Sequence, residues 1–179
     1  HVIDGRAVVP MALMAEWFGH GALHENPGLM LYGLEDLQLL NGIRLGVEPK
    51  RVRILAGKAK RQNGFFEVDL ELRNATTGEG RDILYSRARA ILTRDYSPPP
   101  DYRLPPELSC NHYPRSAAEI YEKILFHGSH LQGLRWVQCC TPDGMVANAT
   151  AAPAPVHWIV APLRNTWLCD PLVLDSAFQ

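Results

Sequence analysis

Long apolar runs are missing from this sequence. Its longest stretch without a polar side chain is Ala7 to Ala15, well short of the roughly 20 residues that a membrane-spanning helix needs. Neither sign of charge dominates: 18 Lys and Arg against 19 Asp and Glu leave a net charge of −1, which gives no electrostatic basis for holding nucleic acid or an anionic bilayer. Cysteine is scarce as well. The four present, Cys110, Cys139, Cys140 and Cys169, include no C-x-x-C pair. Adjacent cysteines are poorly placed to bridge each other, so reduced thiols in a cytoplasmic domain are expected. Cys139, Cys140, His127 and His130 lie near one another in sequence but follow no structural zinc spacing, and no metal ligand set is expected. The absences describe a soluble domain with neither nucleic acid nor membrane among its partners.

Apolar residues make up 46% of the 179 positions, enough for one good core or two small ones. Pro10 precedes Met11-Ala-Leu-Met-Ala-Glu-Trp-Phe18, where only Glu16 interrupts the apolar character; this predicts a helix buried on nearly every side. Proline suits the first helical turn, where its missing N–H has no partner to lose. Gly19, Gly21 and Pro27-Gly28 are expected to end the helix. Extended segments are expected over 34–45, 51–61, 65–73 and 82–93. Alternation is clearest where Phe66, Val68, Leu70 and Leu72 share one face against Glu67, Asp69 and Glu71. Asn63-Gly64 marks a hairpin turn.

A proline-rich stretch from Tyr96 to Pro106 reads as a stiff linker between two halves. Beyond it, Ser116-Ala-Ala-Glu119 forms a capping box that starts a short helix reaching Lys123. Strands are expected over 131–141, 145–152 and about 157–160, with Pro142-Asp143-Gly144 as a turn. A second apolar helix begins at Pro171 and repeats the logic of Pro10. The division is 1–95, 96–115 and 116–179, with the third unit incomplete and its remaining strands expected beyond Gln179.

Two spaced motifs lie at opposite ends of the chain: His1-x-x-x-Gly5-x-x-x-x-Pro10 and Asp175-x-x-x-Gln179. One imidazole and one carboxyl, brought face to face, form an acid/base pair. Asp175 stands among apolar neighbours, and burial without a fixed cation raises a carboxyl pKa toward the range of a general acid. Gln179, one helical turn on, is placed to orient that carboxyl. Gly5 permits a tight backbone path after His1, and the first free amides beyond Pro10 offer a place for developing negative charge. Proline donates nothing, so Met11 or a neighbour must supply the N–H. The remaining histidines, His20, His24, His112 and His157, have no partner at a telling distance and read as structural or exposed. Arg51, Arg53, Lys58, Lys60 and Arg61 make a basic strand, read as a solvated face rather than a docking surface.

These motifs, together with Leu125-Phe-His-Gly-Ser-His-Leu-Gln-Gly133, resemble the dehydratase domains of iterative polyketide and polyunsaturated fatty acid synthases. The resemblance spans nearly the whole chain, with the three segments in the family's order. It implies an α+β double hotdog fold, in which each of two antiparallel sheets wraps a buried helix. It also implies dehydration of 3-hydroxyacyl thioesters to trans-2-enoyl thioesters. Catalytic roles then fall to His1 as base and Asp175 as acid, orienting roles to Gln179, Gly5 and Pro10, and substrate contacts to Met11, His127, Gly128 and Leu131. The third motif departs from the family's Tyr-Gly-Pro-x-Phe: His127 stands for the tyrosine, Ser129 for the proline and Leu131 for the phenylalanine. His127 and His130 therefore read either as substrate contacts or as loop residues flanking an entrance. No organic cofactor or metal is implied, because substrate arrives on the phosphopantetheine of an acyl carrier protein. That carrier, neighbouring synthase domains and a second copy in a homodimer are the implied partners. The same dyad also suits a product-template-like cyclase or a dehydratase/isomerase, and the fold alone suits a non-catalytic dimerising domain.

Overall fold

Helix α1, Met11–Glu25, is the element around which the first half is built. Its buried positions include Met14, Glu16, Phe18 and Ala22, which point in several directions around the axis, as the continuous apolar stretch predicts. The helix runs through Gly19 and Gly21 instead of ending there. Both glycines serve close packing: a Cβ on Gly19 would stand 2.9 Å from Leu31, and one on Gly21 2.6 Å from Ile54. The computed structural model describes residues 1–75, 81–96, 98, 101–103, 105, 108 and 113–179. Half of the expected 96–115 linker, including Cys110 and His112, lies outside the described residues. No described helix is long and apolar enough to cross a membrane.

A five-stranded antiparallel sheet packs against α1. Its strands are β3 (Met30–Leu39), β4 (Val52–Ala56), β5 (Lys60–Gln62), β6 (Phe65–Asn74) and β7 (Leu84–Thr93), ordered β3-β7-β6-β4 with β5 also paired to β6. The inward face of β6 supplies Val68, Leu70 and Leu72, and β7 adds Ala88, Ala90 and Leu92, all against Met14, Phe18 and Ala22 of α1. Asn63 and Gly64 both have positive φ, 49° and 86°, as a two-residue hairpin turn requires. The first strand starts and ends earlier than expected. Its pairing with β7 slips at Leu31/Gly33 and again at Glu35/Gln38, and such bulges break the two-residue period by which a strand is recognised. The expected 51–61 strand divides into β4 and β5. Two of its basic residues pair with acidic side chains nearby, Lys60 3.1 Å from Asp69 and Arg53 3.3 Å from Asp82.

The second half contains α2 (Ala117–Lys123), the hairpin of β8 (Leu134–Thr141) and β9 (Gly144–Ala149), and α3 (Pro171–Phe178). The Ser116/Glu119 capping box is formed in both directions. No strand forms at 157–160: His157 ends a 3₁₀ turn, Pro155–His157, and the residues after it are irregular. Pro155 opens that turn and its carbonyl accepts from the amides of Trp158 and Ile159, which holds the β-branched residues out of any ladder. Leu131 likewise lies in a 3₁₀ turn, Ser129–Leu131, ahead of β8. The expectation of reduced thiols fails at Cys139, which is disulfide-bonded, whereas Cys140 and Cys169 are free. Alternate strand residues face opposite ways, so Cys139 is fully buried and Cys140 is exposed.

Helix α3 is anchored at its first turn. Asp170 caps it, accepting from the amides of Leu172 and Val173 and also from Ala152. Gly133, at the start of β8, lets the strand approach closely: a Cβ there would collide with Ser176 Oγ and stand 2.9 Å from Leu172 Cγ. Gly133→Ala is therefore expected to push α3 away and lower stability by about 1–3 kcal/mol, the usual effect of overpacking. A thermal unfolding curve that coincides with wild type would show that the interface has slack the structure does not suggest.

Candidate active site

His1 reaches the site through a short hairpin. Strands β1 (Val2–Ile3) and β2 (Arg6–Ala7) are joined by Asp4 and Gly5, both at positive φ, 52° and 71°. Gly5 thus has the conformational role expected of it. The carbonyl of His1 accepts from Val8, and the strand continues into hydrogen bonds between Val9 and Ile43 and between Leu45 and Ala7. Pro10 follows, buried, as the residue that caps α1. The imidazole is thus tied to the first turn of the central helix.

Across from it, α3 presents Asp175, only 2% exposed. His1 Nε2 lies 3.1 Å from Asp175 Oδ2, although 174 positions separate them. Burial raises the Asp175 pKa, opposed by the hydrogen bond from Gln179 and by the charge of His127. Gln179 Nε2 donates to the same Oδ2 at 3.1 Å and to the carbonyl of Leu131 at 3.0 Å. A protonated Asp175 can give its hydrogen to His1 while still accepting from Gln179.

The orientation of Gln179 has a cause in α2. Tyr121 Oη accepts the amide of Leu134 at 2.7 Å and donates to Gln179 Oε1 at 2.8 Å. Because the phenol oxygen already receives one hydrogen, its own proton turns to the glutamine oxygen, which leaves the glutamine nitrogen facing Asp175. No sequence signal pointed to Tyr121; only the packing of α2 against β8 brings it there.

His127 is 8% exposed and stands at the dyad, not at an outer entrance. Its Nε2 is 3.6 Å from Asp175 Oδ2, beyond good hydrogen-bond length, and its Nδ1 has no hydrogen-bond partner among the described residues. Burial lowers its pKa despite the charge of Asp175. The ring meets His1 edge-on at 4.4 Å and stacks on Phe126 at 4.7 Å. Phe126 also stands edge-on to His1 at 5.3 Å, a neighbour that its exposed, loop-like sequence position did not announce. His130 is exposed and apart from the dyad.

Other expected site residues divide. Leu131 reaches the site through its carbonyl rather than its side chain. Gly128 precedes the 3₁₀ turn, with open space where a Cβ would be. Met11 lines an apolar cavity of about 600 Å³ with Leu34, Leu37, Val173 and Ala177. Leu174 and Phe178 of α3 line the same cavity, whereas His1, Asp175 and His127 are not among its lining residues. Among the described residues, His1, His127 and Asp175 bring three metal-ligating atoms together, all within 4.8 Å of one another. Cys139, Cys140 and His130 do not join it.

Glu16, the single acidic residue in the apolar stretch of α1, is 1% exposed. Its carboxyl accepts the amides of Leu168 and Cys169, at 3.0 and 2.7 Å, and contacts His20 Nε2 at 3.0 Å. It ties the helix that follows His1 to the segment that enters α3. Beside it, burial and the charge of Glu16 push the Cys169 thiol up to about 11, which leaves that sulfur unreactive near neutral pH.

The chain is 30% identical over an aligned 181 residues to one of the subunits of the polyunsaturated fatty acid synthase of Thraustochytrium sp.. That alignment takes in 100% of this chain and 6% of the synthase polypeptide, so the chain spans a small part of the relative it matches. A solved structure described as giving insight into dehydratase substrate selection for the borrelidin and fluvirucin polyketide synthases superposes with a TM-score of 0.61 and 17% identity, over 99% of this chain and 61% of its own. No protein-family model matches the chain. Both likenesses uphold the resemblance drawn from the motifs, and the double hotdog is the fold of this chain.

Proposed function

We propose that this chain dehydrates 3-hydroxyacyl thioesters carried on the phosphopantetheine of an acyl carrier protein, as one domain of a multidomain synthase. The observation that carries the reading is the 3.1 Å approach of His1 Nε2 to a buried Asp175 oxygen. Neutral His1 takes the C2 proton, and the electron pair left behind forms the C2–C3 double bond as the C3–oxygen bond breaks. Asp175 gives its proton to the departing oxygen, which leaves as water. The imidazolium and carboxylate that remain are neighbours, and transfer of the proton from His1 to Asp175 restores both. Amides at the start of α1, beginning with Met11, are assigned to the thioester oxygen, where charge builds as C2 is deprotonated. The thioester itself acidifies C2, so the proposed cycle uses no metal or organic cofactor. Adjacent synthase domains, the carrier protein and a second copy are the proposed partners, in the cytoplasm. Conversion of a soluble 3-hydroxyacyl thioester to its enoyl product, followed by ultraviolet absorbance, tests the reading; absence of any conversion by the folded chain would reject it.

Gln179 is proposed as an orienting residue, since an amide does not titrate near neutral pH. Its hydrogen bond favours the ionised form of Asp175. Gln179→Ala is expected to lower the maximal rate by loosening the carboxyl. The same change moves the alkaline fall in rate to higher pH, because an acid with a higher pKa stays protonated longer. A pH–rate profile superimposable on that of wild type would remove Gln179 from the mechanism.

A further inference from the structure

Among the described residues, Nδ1 of the buried His127 has no hydrogen-bond partner, and its Nε2 is 3.6 Å from Asp175 Oδ2. Buried polar groups ordinarily find partners, and an exception asks for a physical reason. The other nitrogen of the ring, Nε2, faces two further ligand groups. Asp175 Oδ2 is 3.1 Å from His1 Nε2 and 3.6 Å from His127 Nε2, and the ligand atoms of all three residues fall within 4.8 Å of one another. Ligands held tetrahedrally at ordinary zinc distances are separated by roughly 3.3–3.5 Å. The contacts to Asp175 bracket that separation.

We propose that His1, His127 and Asp175 form a binding site for a first-row divalent transition metal, typified by Zn²⁺, with a fourth position open to solvent or substrate. Two imidazoles and one carboxylate suit zinc rather than magnesium or calcium, which prefer oxygen ligands. His127 is the residue that makes the set: His1 and Asp175 alone offer two ligands, too few to hold an ion firmly. Metal bound at His127 Nε2 would fix the ring's orientation and its tautomer, with the hydrogen on Nδ1. It also occupies the lone pair of His1 that the proposed dehydration needs for C2, so zinc and turnover exclude each other; this consequence rests on the dyad reading, whereas the site itself does not.

The test is calorimetric titration of the full chain, stripped by chelator, with Zn²⁺, and visible absorption with Co²⁺ as the reporter of ligand type. One equivalent is expected to bind with a dissociation constant of about 1 µM or tighter, and cobalt should show four-coordinate bands without thiolate charge transfer. His127→Phe keeps the stacked ring and removes both nitrogens; it is expected to weaken zinc by more than about 100-fold, exceeding the usual loss from an outer-sphere change. His127→Ala serves as a second variant should the phenylalanine disturb folding. Absence of one-to-one binding at about 100 µM free metal, undiminished affinity in both variants, or a thiolate band that assigns the ion to Cys140 or Cys169 would each overturn the site. Tight binding that leaves dehydration untouched would support the site and count instead against the His1/Asp175 dyad.

Discussion

Asp175→Asn is expected to slow dehydration of a 3-hydroxyacyl thioester by roughly 10²- to 10⁴-fold, the usual contribution of one positioned acid or base. His1→Ala should do the same. The double variant is expected to be scarcely slower than either single one, because the two groups complete one proton circuit and neither functions alone. Stability separates this effect from damage. Burial raises the Asp175 pKa, so in the folded state the neutral form is favoured: the stability associated with this group is fully present below the ordinary carboxylate range and declines as pH rises through the raised value. An asparagine has no such charge to bury. Above neutrality Asp175→Asn should therefore unfold at the same temperature as wild type or higher, while remaining inactive. Steady-state turnover beside thermal unfolding at pH 5 and pH 8 checks both halves, and multiplicative losses in the double variant would argue that the residues act independently.

Glu16→Ala should produce the largest loss of stability. Removing the carboxyl leaves the amides of Leu168 and Cys169 without their acceptor, at about 1–3 kcal/mol for each one kept from water. Against a typical total of roughly 5–15 kcal/mol for a domain, that is a large fraction. Glu16→Gln keeps the volume but turns a pair of N–H donors toward groups that also donate, so only partial recovery is expected. Denaturant titration of both variants is the measurement. If Glu16→Ala changed stability by less than about 0.5 kcal/mol, the range of an ordinary surface substitution, the tie between α1 and the approach to α3 would be without energetic content.

Legibility follows how local the physics is. Alternation in β6 reads directly from the sequence because every second side chain must face the same way. The capping box at Ser116 and the turn at Asn63-Gly64 are equally plain, since each is decided within four residues. The bulged β3 escapes its expected bounds because its period slips twice, and the glycines of α1 have the composition of terminators while serving as contact points for Leu31 and Ile54. The apolar run after Pro155 has the residues of a strand, yet it forms a 3₁₀ turn followed by irregular chain, and Val160 stands fully in solvent. Helix propensity and β propensity are weak when packing decides.

The sequence already set His1, Asp175 and Gln179 side by side through the resemblance of their motifs, and the structure brings them together, with His1 Nε2 and Gln179 Nε2 each 3.1 Å from Asp175 Oδ2. Sequence alone determined that α1 is buried all round. Only the tertiary structure decided that Tyr121 turns the amide of Gln179 toward Asp175, that Glu16 holds the two central helices in relation, and that His127 completes a cluster with His1 and Asp175 instead of lying at an entrance. The difference is one of distance along the chain. A helix face is set by residues three or four apart, whereas these contacts join positions 58, 152 and 174 residues apart. No local periodicity records such pairs, because they form only when segments distant along the chain pack together.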